Sequence, residues 1–131
     1  MDVHTHTQIN HALCGAPGEL APGVATAALT TSEAMAVDAE GLVHGGFVFG
    51  LADHAAMLAV NDPLVVLGAA DVRFTAPVRV GDVVVAKASR QEVKGRKHVV
   101  RVVCTVGDVE VLSGSFTTFV LDQHVLAGRS A

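Results

Sequence analysis

Residues 45–60 read GGFVFGLADHAAMLAV, and the reading of this stretch decides the fold. Phe47, Phe49, Leu51, Ala52, Ala55, Ala56, Met57, Leu58, Ala59 and Val60 place apolar side chains on nearly every face of a helix. A helix that is apolar all round belongs in the middle of a structure. At about 1.5 Å per residue it is about 24 Å long, enough to cross a small sheet. Asn61, Asp62 and Pro63 supply its stop.

On both sides of this helix the pattern turns to strands. After it, Leu64–Thr75, Asp82–Val93, His98–Val106 and Val109–Leu121 are rich in Val and Thr and short of helix formers. The turns between them are Pro77–Asp82 (PVRVGD), Lys94–Lys97 (KGRK) and Gly107–Asp108. Long β-rich runs joined by short turns predict an antiparallel meander. Before the helix, Gly23–Thr31 reads as a first strand, and Ser32–Gly41 as a connection with Asp38 and Gly41 as turn formers. Residues 1–22 are polar and broken by Pro17 and Pro22, with a short helical turn expected around Ile9–Cys14. The sum is an α+β fold: one strongly curved antiparallel sheet wrapped around one long central helix.

The composition agrees. At 131 residues and 50% hydrophobic, the chain is expected to form a single domain, 1–131, with a genuine core. Nine Lys+Arg against thirteen Asp+Glu leave a net charge of −4, which gives no general electrostatic hold on nucleic acid or an anionic membrane. Trp and Tyr are absent, so stacking platforms for bases are nearly lacking. The most apolar stretch, Gly41–Ala52, is cut by His44 and then by Asp53 and His54, short of the roughly 18 uninterrupted residues of a membrane span. The N-terminus MDVHTHTQINH lacks a basic region leading into an apolar one. Cys14 and Cys104 make no disulfide framework, and free thiols in a reducing cytoplasm are expected.

The helix breaks its own rule at Asp53, a carboxylate among Leu51, Ala52, Ala55 and Ala56. Such a group must be paired, line a cavity or face a partner subunit. Desolvation raises its pKa and makes it a candidate base or nucleophile. The structural alternative is a carboxylate paired with His54 or Arg73, or simply solvated. At the helix start, His44-Gly45-Gly46 offers backbone N–H groups without intrahelical partners. Glycines admit a ligand closely, and the helix dipole favours negative charge there, which together are the elements of an oxyanion hole. The competing reading is ordinary capping. His44 and Asp53 are nine residues apart, roughly two and a half turns, too far for contact along one helix. A nearly all-apolar surface calls for a partner, so the favoured arrangement has Asp53 of one subunit complete a site begun by His44–Gly46 of another.

The string GLVHGGFVFGLADHAAMLAVN, residues 41–61, resembles the helix motif of hotdog-fold acyl-CoA thioesterases of the phenylacetyl-CoA (PaaI-like) type, which carry HGG, then LAD, then an apolar stretch ending in Asn. VRFTAPVRVGD, residues 72–82, is similar to that family's next strand and turn. The resemblance covers about residues 8 to 121. It implies a hotdog fold and hydrolysis of an acyl-CoA thioester to free acid and CoA without a cofactor or metal, in a cytoplasmic homodimer or homotetramer. In that reading Asp53 matches the acid that activates water or attacks the carbonyl. Gly45 or Gly46 offers an N–H to the carbonyl oxygen, and His44 positions the thioester. Asn10 falls where the family often has a site Asn, and His54 stands where Thr or Ser is common. Lys94, Arg96, Lys97 and Arg73 are candidates for the coenzyme's phosphates, with a solvated turn as the alternative. A non-catalytic acyl-CoA-binding module with the same groove is the rival function.

His4, His6 and His11 form an H-x-H…H cluster, but no Cys or carboxylate spacing completes a metal set. His98 and His124 sit near strand ends and read as surface residues. The alternation of Phe116, Thr118 and Val120 reads as core or subunit interface.

Overall fold

The computed structural model describes residues 1–129. The elements are α1 (His11–Cys14), β1 (Ala16–Ala21), β2 (Val24–Thr30), a 3-10 turn at Glu33–Met35, α2 (Gly45–Val60), β3 (Val65–Phe74), β4 (Val83–Lys94), β5 (Lys97–Val106) and β6 (Val109–Val120). The central helix has its expected bounds, and the five predicted strands begin and end within a residue of expectation. All strands join one antiparallel sheet in the order β1-β2-β4-β5-β6-β3. The curved sheet wraps α2 in the hotdog arrangement.

Two expectations need correction. Ala16–Ala21 is a strand, though it contains Pro17 and Gly18; it lies at the sheet edge, where a missing N–H is tolerated, and its pairing with β2 is interrupted by a bulge between Pro17 and Leu20. The four strands after the helix are also not one meander. Only β4, β5 and β6 form one, whereas β3 pairs with β6 and not with its sequence neighbour β4. Residues 75–82 carry the chain past the N-terminal end of α2. On the way Thr75 N donates to Val111 O at 2.9 Å and Val80 N to Gly41 O at 2.8 Å, and Thr31 N donates to Asp82 O at 3.0 Å. That path delivers β4 to the side of β2.

The core lies between α2 and the concave face of the sheet. Ala25, Ala27 and Leu29 of β2, Val84, Ala86 and Ala88 of β4, Val100, Val102 and Cys104 of β5, and Leu112 and Phe116 of β6 are buried against it. Small alanines on both sheet and helix let the two backbones approach closely. Phe116 is the largest fully buried side chain and stacks at a tilt on Phe49, with ring centroids 5.5 Å apart. Thr118, also fully buried, satisfies its hydroxyl by donating to His98 O at 2.9 Å. His98 is half-buried rather than a free surface residue. Both cysteines are unbridged, and burial pushes the Cys104 thiol up to about 12, which makes it an inert part of the core.

The helix is not covered on every face. Gly46, Phe49, Gly50, Asp53 and Val60 share one flank at helical spacing and remain at least partly uncovered. The long strand β3 pairs on one side only, and its residues Gly68–Asp71 are exposed.

Candidate active site

The first turn of α2 is built to leave amides open. His44 is the N-cap residue, in extended backbone, and its side chain makes no capping bond. Its own N–H donates to Met35 O at 2.9 Å, and Val43 N donates to Val78 O at 2.8 Å, so the entry to the helix is clamped from two sides. The two residues that follow are glycines because rings lie against them. A Cβ at Gly46 would stand 2.9 Å from the His44 ring, and one at Gly45 would stand 3.3 Å from the Phe74 ring. The N–H groups of Gly45 and Gly46 accordingly point out of the helix start, where the dipole favours negative charge. Beside them runs an apolar groove of about 410 Å³ lined by Gly45, Val48, Phe74, Val78 and Val111, among others. Phe74 forms its outer wall and is 56% exposed. Sequence reasoning missed Phe74 and Val111 as site residues, because no local pattern links them to the helix start.

Asp53 sits two turns further along the same flank as Gly46 and is half-buried. One of its carboxylate oxygens, Oδ1, is enclosed and has no hydrogen-bond partner among the described residues. Burial therefore pushes its pKa above the ordinary 3.8. The pairing with His54 or Arg73 offered as an alternative is not formed: among the described residues the only ion pair is Arg96 with Asp122. Eight residues separate Asp53 from Gly45, about 12 Å of helix rise, and Asp53 is not among the groove's lining. A single chain thus presents the acid and the open amides on one helix without bringing them together.

The remaining sequence candidates are dispersed. His54 turns away from the groove; it is fully buried beneath the N-terminal segment, with Nδ1 bonded to Cys14 O at 3.1 Å. Asn10 caps α1, accepting from Leu13 N at 3.2 Å, and is exposed. Arg73 lies on β3 in a polar cup of about 210 Å³ with Asp71, Arg101, Ser113 and Ser115. Their cross-strand register places these residues on the outer face of the sheet. Lys94, Arg96 and Lys97 form the β4–β5 turn, where Arg96 pairs with Asp122. Val120 N donates to Arg96 O in that turn, and Leu121 N donates to Leu64 O just past the end of α2. The basic turn is therefore at the opposite end of the sheet from the glycines. No three potential metal ligands converge among the described residues, and none of the described helices is long and apolar enough to cross a membrane.

A helix-wrapping sheet with open glycine amides at the helix start and a lone acid on the helix flank defines a hotdog protein of thioesterase design. A family model described as the thioesterase superfamily matches residues 40–113, and the chain belongs to that superfamily. Among solved structures, an uncharacterized protein from Pyrococcus horikoshii is 51% identical with a TM-score of 0.95, covering 96% of this chain and 97% of that one. A mutant of the phenylacetic acid degradation protein PaaI from Thermus thermophilus is 30% identical with a TM-score of 0.77, over 85% and 96% of the two chains. Among curated relatives, a methylthioribose-1-phosphate isomerase from Aquifex aeolicus is 50% identical over 94% of this chain but only 27% of its own length. The transcription factor FapR from a Thermoanaerobacter species is 34% identical over 68% of this chain and 44% of its own length. The chain thus spans less than half the length of these two curated relatives.

Proposed function

We propose that residues 1–131 form a single hotdog domain that hydrolyses an acyl-CoA thioester to the free acid and CoA. The observation that carries this reading is Asp53: a carboxylate with one oxygen enclosed and unpartnered, raised in pKa by burial, on an otherwise apolar helix. A charge kept in such a place at a cost is a candidate for chemistry. The amides of Gly45 or Gly46 hold the carbonyl oxygen, and His44 orients the thioester from the helix cap. Asp53 acts in one of two ways. As a general base it takes a proton from water while the water oxygen attacks the carbonyl carbon. As a nucleophile it forms an anhydride that water then opens. In both routes the carbonyl electrons pass to the oxygen at the amides and return as the C–S bond breaks, and the CoA sulfur leaves as thiolate and takes up a proton.

Because the acid and the amides of one chain stand about 12 Å apart along α2, the working site needs a second copy, in a homodimer or a homotetramer of two such dimers. The open edge of β3 and the uncovered flank bearing Phe49, Gly50 and Asp53 support that assembly. The pantetheine and acyl parts lie along the apolar groove. Lys94, Arg96, Lys97 and Arg73 are the cations offered to the phosphates. The domain needs no cofactor and works in the cytoplasm.

A panel of acyl-CoAs assayed with a thiol-trapping dye tests the reading: the wild type releases thiol from at least one member, and Asp53→Asn does not. Wild-type turnover by that variant on the preferred substrate sinks the mechanism. A second reading, a non-catalytic acyl-CoA-binding module, draws on the similarity to FapR, a transcription factor. Acyl-CoA binding with no thiol released anywhere in the panel selects it.

A further inference from the structure

The N-terminal segment runs along α2 as a strap and is fastened at three points. At the helix C-terminus, Asn61 adopts a left-handed backbone (φ 53°). Its side chain donates to Asp2 O and accepts from His4 N, both at 2.8 Å. In the middle, Val3 packs on the core and Thr5 is buried. At the far end, Gly15 lies on Leu51 and Cys14 O accepts from the His54 ring at 3.1 Å.

The middle of the strap is clamped by three imidazoles. The His54 ring is 1% exposed and faces both His6 and His11, with centroids 6.2 Å and 6.3 Å away and planes inclined by 25° and 20°. A carbonyl only accepts, so Nδ1 of His54 carries the hydrogen and Nε2 presents a bare lone pair. That Nε2 is buried with no partner. A proton added there finds no acceptor in place and sits close to two other imidazoles. The groups facing the ring from the strap are His6, His11 and the Cys14 backbone. The strands β1 and β2, which also pack on α2, turn only apolar side chains such as Leu20, Ala25, Ala27 and Leu29 to the core. On α2 itself Asp53 points from the adjoining flank and forms no ion pair with His54. His6 also holds a left-handed backbone (φ 52°), a conformation a non-glycine residue keeps only while its surroundings impose it.

We propose that Asp2–Cys14 is a proton-released strap: neutral His54, facing His6 and His11 and bonded to Cys14 O, keeps it on the flank of α2, and protonation of His54 lets it lift off. Burial lowers the pKa of His54 from the ordinary 6.5, which fixes the sign. Well above 6.5 neither state binds the proton and docking is unopposed. As pH falls through 6.5 the lifted strap takes up protons that the docked one refuses, so docking weakens until the docked pKa is passed. The device is independent of the acyl chemistry proposed above, and its test reads no activity.

Backbone hydrogen exchange of the full chain, corrected for intrinsic exchange chemistry, decides it at about pH 7.5 and about pH 5.5. Amides of residues 2–14 are expected to lose protection at the lower pH, by up to about tenfold for a histidine that the docked strap keeps neutral, while those of β4 and β5 keep theirs. Equal protection at both values, or a loss shared with β4 and β5, overturns the proposal. His54→Gln retains a donor for Cys14 O without a titrating group, and its strap is expected to be protected equally at both pH values; a wild-type loss in this variant also overturns it. Should His54→Gln not fold, the wild-type ring answers by NMR. The His54 signals must titrate below 6.5 in step with strap release; a ring that titrates at the ordinary value with the strap still docked refutes the latch.

Discussion

Asp53 and His54 are adjacent on α2, yet the fold gives them opposite surroundings. Each residue turns about 100° around the helix, so Asp53 lies on the uncovered flank with Gly46 and Phe49, while His54 is sealed under the N-terminal strap. Both carry an enclosed polar atom without a partner, Oδ1 in one and Nε2 in the other. Asp53 shares its flank with residues still open to solvent or to a second chain. His54 faces other imidazoles and a backbone carbonyl of its own chain. One apolar helix thus presents an uncovered flank and a covered flank, separated by a single step of its screw.

Substitutions can break this division. Asp53→Asn has the largest expected effect: thiol release falls about 10²- to 10⁴-fold, with thermal stability equal to or above wild type, because the amide spares a carboxylate that burial opposes. A large loss of melting temperature would move Asp53 to the structural side of the comparison. Gly46→Ala comes next. Its methyl would stand 2.9 Å from the His44 ring, and displacing that ring from the helix start lowers turnover about ten- to a hundredfold, while circular dichroism and the melting temperature stay near wild type.

Titration sharpens the same contrast. Because burial raises the Asp53 pKa above 3.8, kcat/KM is expected to climb with pH along an acid limb centred above that value, and a limb at or below it would refute a working carboxylate there. The stability sign is the reverse. A raised folded-state pKa contributes stability that is present below 3.8 and lost as pH rises through the folded value. Asp53→Asn should accordingly gain on the wild type in thermal melts at neutral pH and lose that advantage in acid. The smallest effect belongs to the β4–β5 turn. Arg96 and Asp122 are both well exposed, so Arg96→Ala shifts stability by no more than about 0.5 kcal/mol. Any kinetic change there should be a few-fold rise in KM that fades with added salt; a fall in kcat would mean that the turn does more than hold phosphate.

Much of the molecule was legible in the sequence. The unbroken apolar run of Gly45–Val60 announced the helix, and the Val- and Thr-rich runs announced five strands, because these signals depend only on which side chains must leave water. Strand β1 was hidden because Pro17, Gly18 and Glu19 are poor strand formers, and only the pairing of Ala16, Pro17 and Leu20 with Ala28, Ala27 and Ala25 holds the segment extended around its bulge. The position of β3 was hidden as well. Sequence adjacency favours a β3–β4 hairpin, but the 75–82 connection passes the end of α2 and leaves β3 to pair with β6. At the candidate site, Asp53 and His44–Gly46 stood out as a charge and two glycines in an apolar run, whereas the groove wall at Phe74 and Val111 joins residues far apart in the chain.

By itself the sequence determined which residues form the helix and most strands, and that an acid and two glycines interrupt an otherwise apolar segment; these follow from local composition and from the cost of burying charge. Only the tertiary structure decided which flank of α2 each polar residue faces, that His54 is covered by the distant N-terminal segment, and that Asp53 is left unpaired. Those outcomes depend on long-range packing of the strap and of 75–82 around the helix, contacts that no local pattern encodes.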